Sequence, residues 1–444
     1  MKLVKDMAST FITTILVFII SILTSVIIAR NLGPNGQGIY SLILLFPTLI
    51  VSFTQFGIGR SIIYHISKGE IPIKNIIGNI LFITVLIITI ALSSGFVIFF
   101  WFNNLFFHDI PKEFLLLGLI IIPFQICFLQ ISSGIFYGIQ KIRIYNLANT
   151  IQPLIIFILV YISIYILNIG ILGVIAANLI SLIFATAFTF FFIFRVLKLP
   201  LTISFDKRIF KSLFSFGIKV HIGNFMYFLR SRLDVFLLNY FLNPSAVGFY
   251  SISFGTAETL WTLSSSISNV LSPRITSMKN DTDKKELTPL IARNVLLLTI
   301  IGALIIYLLS NYLILLLYSI NYYESIQPLQ ILLIGVVAVS LERILTADII
   351  ARGKPMITNY ILFVTVMSNL ILNIILIRYI GIQGAAWASS ISYTANLYMT
   401  LYTYCKISGN SVRNVVLVKK SDIYLYLTIL KSVKQKLSKS NIKY

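Results

Sequence analysis

Four ionisable residues, Lys219, Arg230, Arg232 and Asp234, fall inside a single apolar stretch near 213–241. A charge near the centre of a membrane helix costs ~2.5–3.5 kcal/mol on insertion scales, so each one needs a reason. At helical periodicity, Lys219, Gly223, Tyr227, Arg230 and Asp234 lie within about 80° of one another, with His221 and Arg232 on the far side. Asp234 follows Arg230 by four residues, within reach of an ion pair. A stretch near 326–350 adds Glu342, Arg343 and Asp348, and one near 246–272 adds Glu258 at its middle. A planar guanidinium donates two hydrogen bonds to a phosphate at once. Arg230, with Lys219 and Arg343, is therefore read as lining a water-filled cavity for an anionic substrate. Asp234, Glu258, Glu342 and Asp348 are read as ion-pair or coupling groups. The plainer alternative makes Arg230–Asp234 and Glu342–Arg343 structural ion pairs, with Lys219 snorkelling to the inner surface.

The elements that must hold these charges are set by composition. Of 444 residues, 58% are hydrophobic and 11% charged, whereas a soluble domain carries about 25% charged residues. Apolar runs long enough to cross a bilayer lie near 8–30, 38–59, 76–102, 114–138, 147–167, 171–195, 213–241, 246–272, 288–318, 326–350, 357–378 and 383–405. Strands are excluded, because unpaired backbone cannot face lipid and no alternating ten-residue pattern occurs. The expected fold is an all-α membrane protein of about twelve transmembrane helices. The first run, Ala8 to Ala29, is long enough to be a retained helix rather than a signal peptide. Cys127 and Cys405 both sit in apolar runs and imply no disulfide framework.

A net charge of +21 suggests nucleic acid in a soluble protein, but the placement of the cations here excludes that partner. With the N-terminus inside and alternating loops, 28 basic residues fall on the cytoplasmic side and three (Arg30, Lys112, Arg378) outside. This is the bias that the positive-inside rule produces, and it puts both termini in the cytoplasm. The tail 406–444 has nine basic residues and one acid, Asp422. Ser421 can cap a helix with Ile423, Leu427, Leu430 and Leu437 near one side, lying on the anionic inner leaflet.

The chain also repeats itself. Leu32-Gly33-Pro34-Asn35-Gly36-Gln37-Gly38-Ile39-Tyr40-Ser41 agrees with Leu242-Asn243-Pro244-Ser245-Ala246-Val247-Gly248-Phe249-Tyr250-Ser251 at Leu, Pro, Gly, Tyr and Ser, with an offset of 210. Gly170-Ile171-Leu172-Gly173 is echoed by Gly381-Ile382-Gln383-Gly384 at 211, and Lys141 and Asn146 by Lys354 and Asn359 at 213. Six helices per repeat give two like-oriented bundles, 1–200 and 201–405, related by a pseudo-two-fold axis along the membrane normal. Such a pair can rock, opening a central cleft to either side.

Other chemistries lack their parts. No G-x-x-x-x-G-K-[ST] run is present for ATP, and His65, His108 and His221 form no spaced metal set. The longest expected outer loop, Asn103 to Lys112, is too short to carry a catalytic scaffold, so neither an enzyme nor a cofactor is expected. The first six helices contain no mid-membrane acid; Asp6, Glu70, Asp109, Glu113 and Asp206 all sit at ends or in loops.

On several of these segments the chain resembles the Wzx-type polysaccharide flippases of the multidrug/oligosaccharidyl-lipid/polysaccharide exporter superfamily. The carriers are Ala29-Arg30-Asn31-Leu32-Gly33-Pro34 with Gly38-Ile39-Tyr40, Arg232-Leu233-Asp234, and Val247-Gly248-Phe249-Tyr250-Ser251. Ser272-Pro273-Arg274, Gly353-Lys354-Pro355 and Gly381-Ile382-Gln383-Gly384-Ala385-Ala386 also fit. The resemblance implies two lobes around a cationic cavity in a bacterial inner membrane. It also implies movement of an undecaprenyl-pyrophosphate-linked oligosaccharide to the outer leaflet, alongside other polysaccharide-assembly proteins. Tyr227, Asn224, Tyr240, Asn269 and Asn373 would then line a sugar path, against the plainer role of interhelical hydrogen bonding. Three other readings are weighed. Peptidoglycan-precursor flippases usually carry two more C-terminal helices, cation exporters use acids in the first lobe, and glycan polymerases have a long outer loop.

Overall fold

Gly33 adopts φ +66°, a backbone conformation open to glycine and strained for other residues, and Pro34 starts a new helical direction immediately after it. The first two expected spans are thus one helical run with a sharp kink, α1 (Lys2–Thr54). The computed structural model describes residues 2–102, 107, 110–199, 202–278, 280–419 and 422. His108, Asp109 and the tail helix expected beyond Ser421 lie outside these residues.

After α1 come α2 (Ile58–Lys68), α3 (Ile73–Val97), α4 (Lys112–Gly138), α5 (Ile142–Ile166), α6 (Ile171–Val196) and α7 (Lys207–Phe241). They are followed by α8 (Pro244–Ser277), α9 (Asp281–Tyr318), α10 (Ile326–Ala351), α11 (Pro355–Ile380), α12 (Ile382–Ser408) and the short α13 (Val412–Val416). No strand occurs among the described residues. Counting the two arms of α1, the long helical segments among them number twelve, as expected. Eight helices, α1 taken as one, are long and apolar enough to cross a membrane on composition alone. The shortfall lies in α7, which carries the charges, and in α8 and α12, which are rich in serine and threonine. Small hydroxyl residues suit helix contacts inside a membrane: Ser389, Ser390 and Ser392 of α12 are all buried.

Two features depart from the sequence reading. The segment expected as a loop after residue 59 forms α2, entered through Gly57 at φ +64° and burying Ile58, Ser61, Ile62 and His65. Stretches of π-helix follow α3 at Ile98–Phe102, interrupt α4 at Cys127–Ser132, and end α5 and α6 at Ile162–Ile166 and Phe192–Val196.

The chain groups into two compact units, Met1–Ser251 with Ile314–Glu324, and Ile252–Leu313 with Ser325–Tyr444. In the first, α1 packs on α4 and α5, and α7 packs on α2. The end of α9 belongs to this unit because Arg30 donates to the carbonyls of Leu316 and Leu317, the latter at 2.7 Å, and caps that helix. The Tyr322 hydroxyl donates to the Ala29 carbonyl at 3.1 Å. In the second unit, Leu271, Ile275, Val295, Ile344, Leu345, Tyr404 and Val415 make one core across α8, α9, α10, α12 and α13.

Contacts between connecting segments respect the expected alternation of sides. Arg30 meets Leu316 and Leu317, and Asn31 donates to Tyr165 at 3.1 Å, all expected outside. His65 Nε2 lies 2.7 Å from Ser212 Oγ, and Asp206 N donates to Asn79 at 2.9 Å, all expected inside.

Candidate functional site

α7 is started by Asp206, whose carboxylate accepts from the backbone N–H of Arg208 at 2.7 Å and Ile209 at 3.3 Å. Nearly seven turns on, the same helix buries two charged residues in the first unit. Arg230 and Asp234, one turn apart, are 2% and 1% exposed. The Asp234 carboxylate accepts from the hydroxyl of Tyr250 on α8 and from the backbone N–H of Val235. The Arg230 guanidinium lies over the ring of Tyr227, 5.1 Å from its centroid, and Tyr227 itself is partly exposed. The face predicted from periodicity therefore brings Tyr227, Arg230 and Asp234 together. Lys219 and Asn224 lie exposed nearer the start of the helix, and Arg232 is half-buried.

In the second unit, Arg343 of α10 sits 4.9 Å from the ring centroid of Trp261 on α8. Trp261 is buried, with Tyr393 of α12 at a ring distance of 6.4 Å. Glu342 is the neighbouring residue and so points about 100° away. Its carboxylate accepts from Thr346 at 2.7 Å. Glu258 is half-buried on α8. Asp348 is fully buried, accepts from Thr288 of α9 at 2.5 Å and pairs with Arg352. Arg352 in turn lies 3.8 Å from Asp281, which pairs with Lys284 at 3.6 Å, so Asp348 belongs to a polar knot at the ends of α9 and α10.

Of the sugar-path candidates, Tyr240 and Asn269 are exposed. Asn373 is fully buried and donates to the carbonyl and the side-chain oxygen of Asn369 at 2.9 and 3.0 Å. Asn369 bonds Ser392 at 3.1 Å, so the pair ties α11 to α12. Among the described residues, no three His, Cys, Asp or Glu side chains gather as metal ligands. Trp261 and Tyr250 escaped the sequence reading as site residues. Trp261 is one of three tryptophans, and Tyr250 lies inside the repeated motif.

The repeat adds a comparison within the chain. Subtracting the offset of 210 from Arg230, Asp234 and Tyr250 gives Ile20, Thr24 and Tyr40. Thr24 donates to its own helix at Ile20 O, 2.8 Å, and Tyr40 bonds Asn178. The charges are confined to the second copy.

A family described as "Polysaccharide biosynthesis protein" matches residues 3–279. A protein described as an O-antigen transporter, from Shigella flexneri, is 26% identical over 402 residues, covering 86% of this chain and 94% of that one. An uncharacterised membrane protein of Methanocaldococcus jannaschii is 25% identical over 417 residues, covering 88% and 82%. Among solved structures, a lipid II flippase in an inward closed conformation superposes with a TM-score of 0.72 at 18% identity, covering 98% of both chains. That likeness shows the fold alone, an all-helical membrane-transporter fold that the twelve-helix layout expected from the sequence fits.

Proposed function

Since the chain belongs to the polysaccharide biosynthesis protein family, we propose that it is a flippase carrying an undecaprenyl-pyrophosphate-linked oligosaccharide from the cytoplasmic to the outer leaflet by alternating access. The observation that carries this reading is Arg230, an arginine 2% exposed within a helix of a multi-pass membrane protein, lying over an aromatic ring and one turn from a hydrogen-bonded carboxylate. Burying a guanidinium in a membrane protein is costly, and sites that keep one usually use it. Arg230 would contact the pyrophosphate, Tyr227 the first sugar, and Asp234 would hold Arg230's segment in place through Tyr250. The two lobes, 1–200 and 201–405, would rock about the repeat axis. The polyprenyl tail would stay in the bilayer.

Energetics support transport without ATP. Moving a negative charge outward across an inside-negative membrane gains ~2.3 kcal/mol per charge per 100 mV. A dianionic head group is therefore driven by the membrane potential of a bacterial inner membrane with both termini of the protein cytoplasmic.

The test is the lipid-linked species that accumulates when the gene is deleted. Repeat units facing the cytoplasm support the flippase. Unpolymerised units facing outward would instead indicate a glycan polymerase, and normal glycan with lost resistance to cationic drugs would indicate a multidrug antiporter.

A further inference from the structure

The repeated motif does more than mark a duplication: its two copies touch each other. A methyl group built on Gly38 would lie 1.7 Å from the Pro244 carbonyl oxygen and 3.0 Å from Gly248 N. One built on Gly248 would lie 2.0 Å from the Pro34 carbonyl oxygen and 3.2 Å from Gly38 N. Pro34 and Gly38 become Pro244 and Gly248 at the offset of 210, so each copy meets the other with the same atoms. Only a two-fold relation makes equivalent residues reciprocal partners. The axis relating the repeats must then pass between Gly38 and Gly248, at the end of the bundle opposite the basic loops.

We propose that this Gly38–Gly248 backbone contact is the exit gate of the transporter, an inference that rests on the transport reading above. A body leaving along the axis must pass this point, so the contact has to part once in each cycle. Its build suits that task. Glycine lets backbone meet backbone with no side chains to disentangle, and Cα–H···O contacts of this kind are weak and directional. Several of the stronger bonds of each motif stay within its own half. Asn31 bonds Ile27 O and Tyr165 in the first half, and in the second the Asn243 side chain accepts from Ala246 N at 2.9 Å and Tyr250 bonds Asp234. Two bonds at the same end do cross between the halves, Arg30 to the Leu316 and Leu317 carbonyls and Tyr322 to the Ala29 carbonyl, and these must break when the contact parts.

The test uses the full chain in intact cells with Cys127→Ser and Cys405→Ser, and a reporter at the buried Ala246→Cys, read with a membrane-impermeant maleimide. Gly38→Ala and Gly248→Ala each forbid closure. Each is expected to raise the labelling rate at least about tenfold by shifting the population to the open form, the two together no further than either alone. An unchanged rate in variants that accumulate normally would overturn the gate. Should the glycine variants fail to accumulate, Asn35→Cys with Ser245→Cys, joined by a short reducible crosslinker, replaces them. The crosslink is expected to stop glycan display until reductant is added, and continued display by crosslinked protein would overturn the proposal. Labelling is also read in a host without the glycan pathway. A response there stands whether or not the chain exports glycan, and a failed response leaves the deletion test of function intact.

Discussion

The first and seventh helical segments occupy equivalent places in the repeat, yet only one carries charge. Ile20 and Thr24 in the first correspond to Arg230 and Asp234 in the second, while the tyrosines that follow, Tyr40 and Tyr250, are kept. Tyr40 bonds the neutral Asn178 and Tyr250 bonds the carboxylate of Asp234. Duplication thus supplied a symmetric frame, and the chemistry was placed on one side of it. A symmetric frame serves rocking, which needs matched hinges. On the proposed reading a single charged face would serve recognition, because one pyrophosphate needs one cationic partner set rather than two.

Converting the second copy to the first should remove function. Arg230→Ile is expected to cut surface glycan at least about a hundredfold at normal protein level, and Arg230→Lys to restore part of it, since lysine keeps the charge but loses the two-pronged donor. Removing the hydroxyl in Tyr250→Phe leaves a buried carboxylate short of one donor, at ~1.5–3 kcal/mol for a bond to a charged group, read as a lower melting temperature in detergent. Trp261→Leu, which strips the ring from Arg343, should cost ~0.5–2 kcal/mol and weaken transport less than Arg230→Ile. Thr24→Val in the first copy should change stability by no more than about 0.5 kcal/mol, because Thr24 only bonds its own helix. A strong loss from Thr24→Val would break the comparison.

A charge pair that ties α9 to the tail provides a contrast with a pH signature. Arg293 of α9 grips Asp422 at 2.7 and 2.9 Å and the Asn414 carbonyl at 2.5 Å, and both side chains are buried. The Arg293 hydrogen bond holds the Asp422 carboxyl below the usual carboxylate range. A depressed folded-state pKa means the stabilisation is complete above the unfolded value of about 3.9 and is lost as pH falls through the folded one. Melting temperature should therefore be insensitive to this pair from pH 8 to about 5 and fall below about 4. Asp422→Asn should remove that acid-dependent part while lowering stability at neutral pH.

Much of this was legible in the residues. Apolar runs give the twelve long helical segments, because lipid acts on composition directly. α2 was not legible: Ile58–Lys68 is short and half polar, and its docking through Gly57 against Gly217 is a tertiary event. The π-helical stretches left no sequence signal beyond crowded apolar and aromatic runs. At the site, helical periodicity placed Tyr227, Arg230 and Asp234 on one side, and there they are. It also placed Lys219 with them, although eleven residues separate Lys219 from Arg230, about 16 Å along the axis. A projection down the helix discards that distance. Trp261 and Tyr250 were hidden because an aromatic residue in an apolar run looks the same whether it packs or supports a charge.

The most direct test of the account is reconstitution. The purified protein in liposomes, given lipid-linked oligosaccharide and an imposed potential, should expose the oligosaccharide at the leaflet made positive by that potential. Arg230→Ala should expose no more than protein-free vesicles do. Equal rates for the two proteins would contradict the claim that the charged face of the second copy carries the anion.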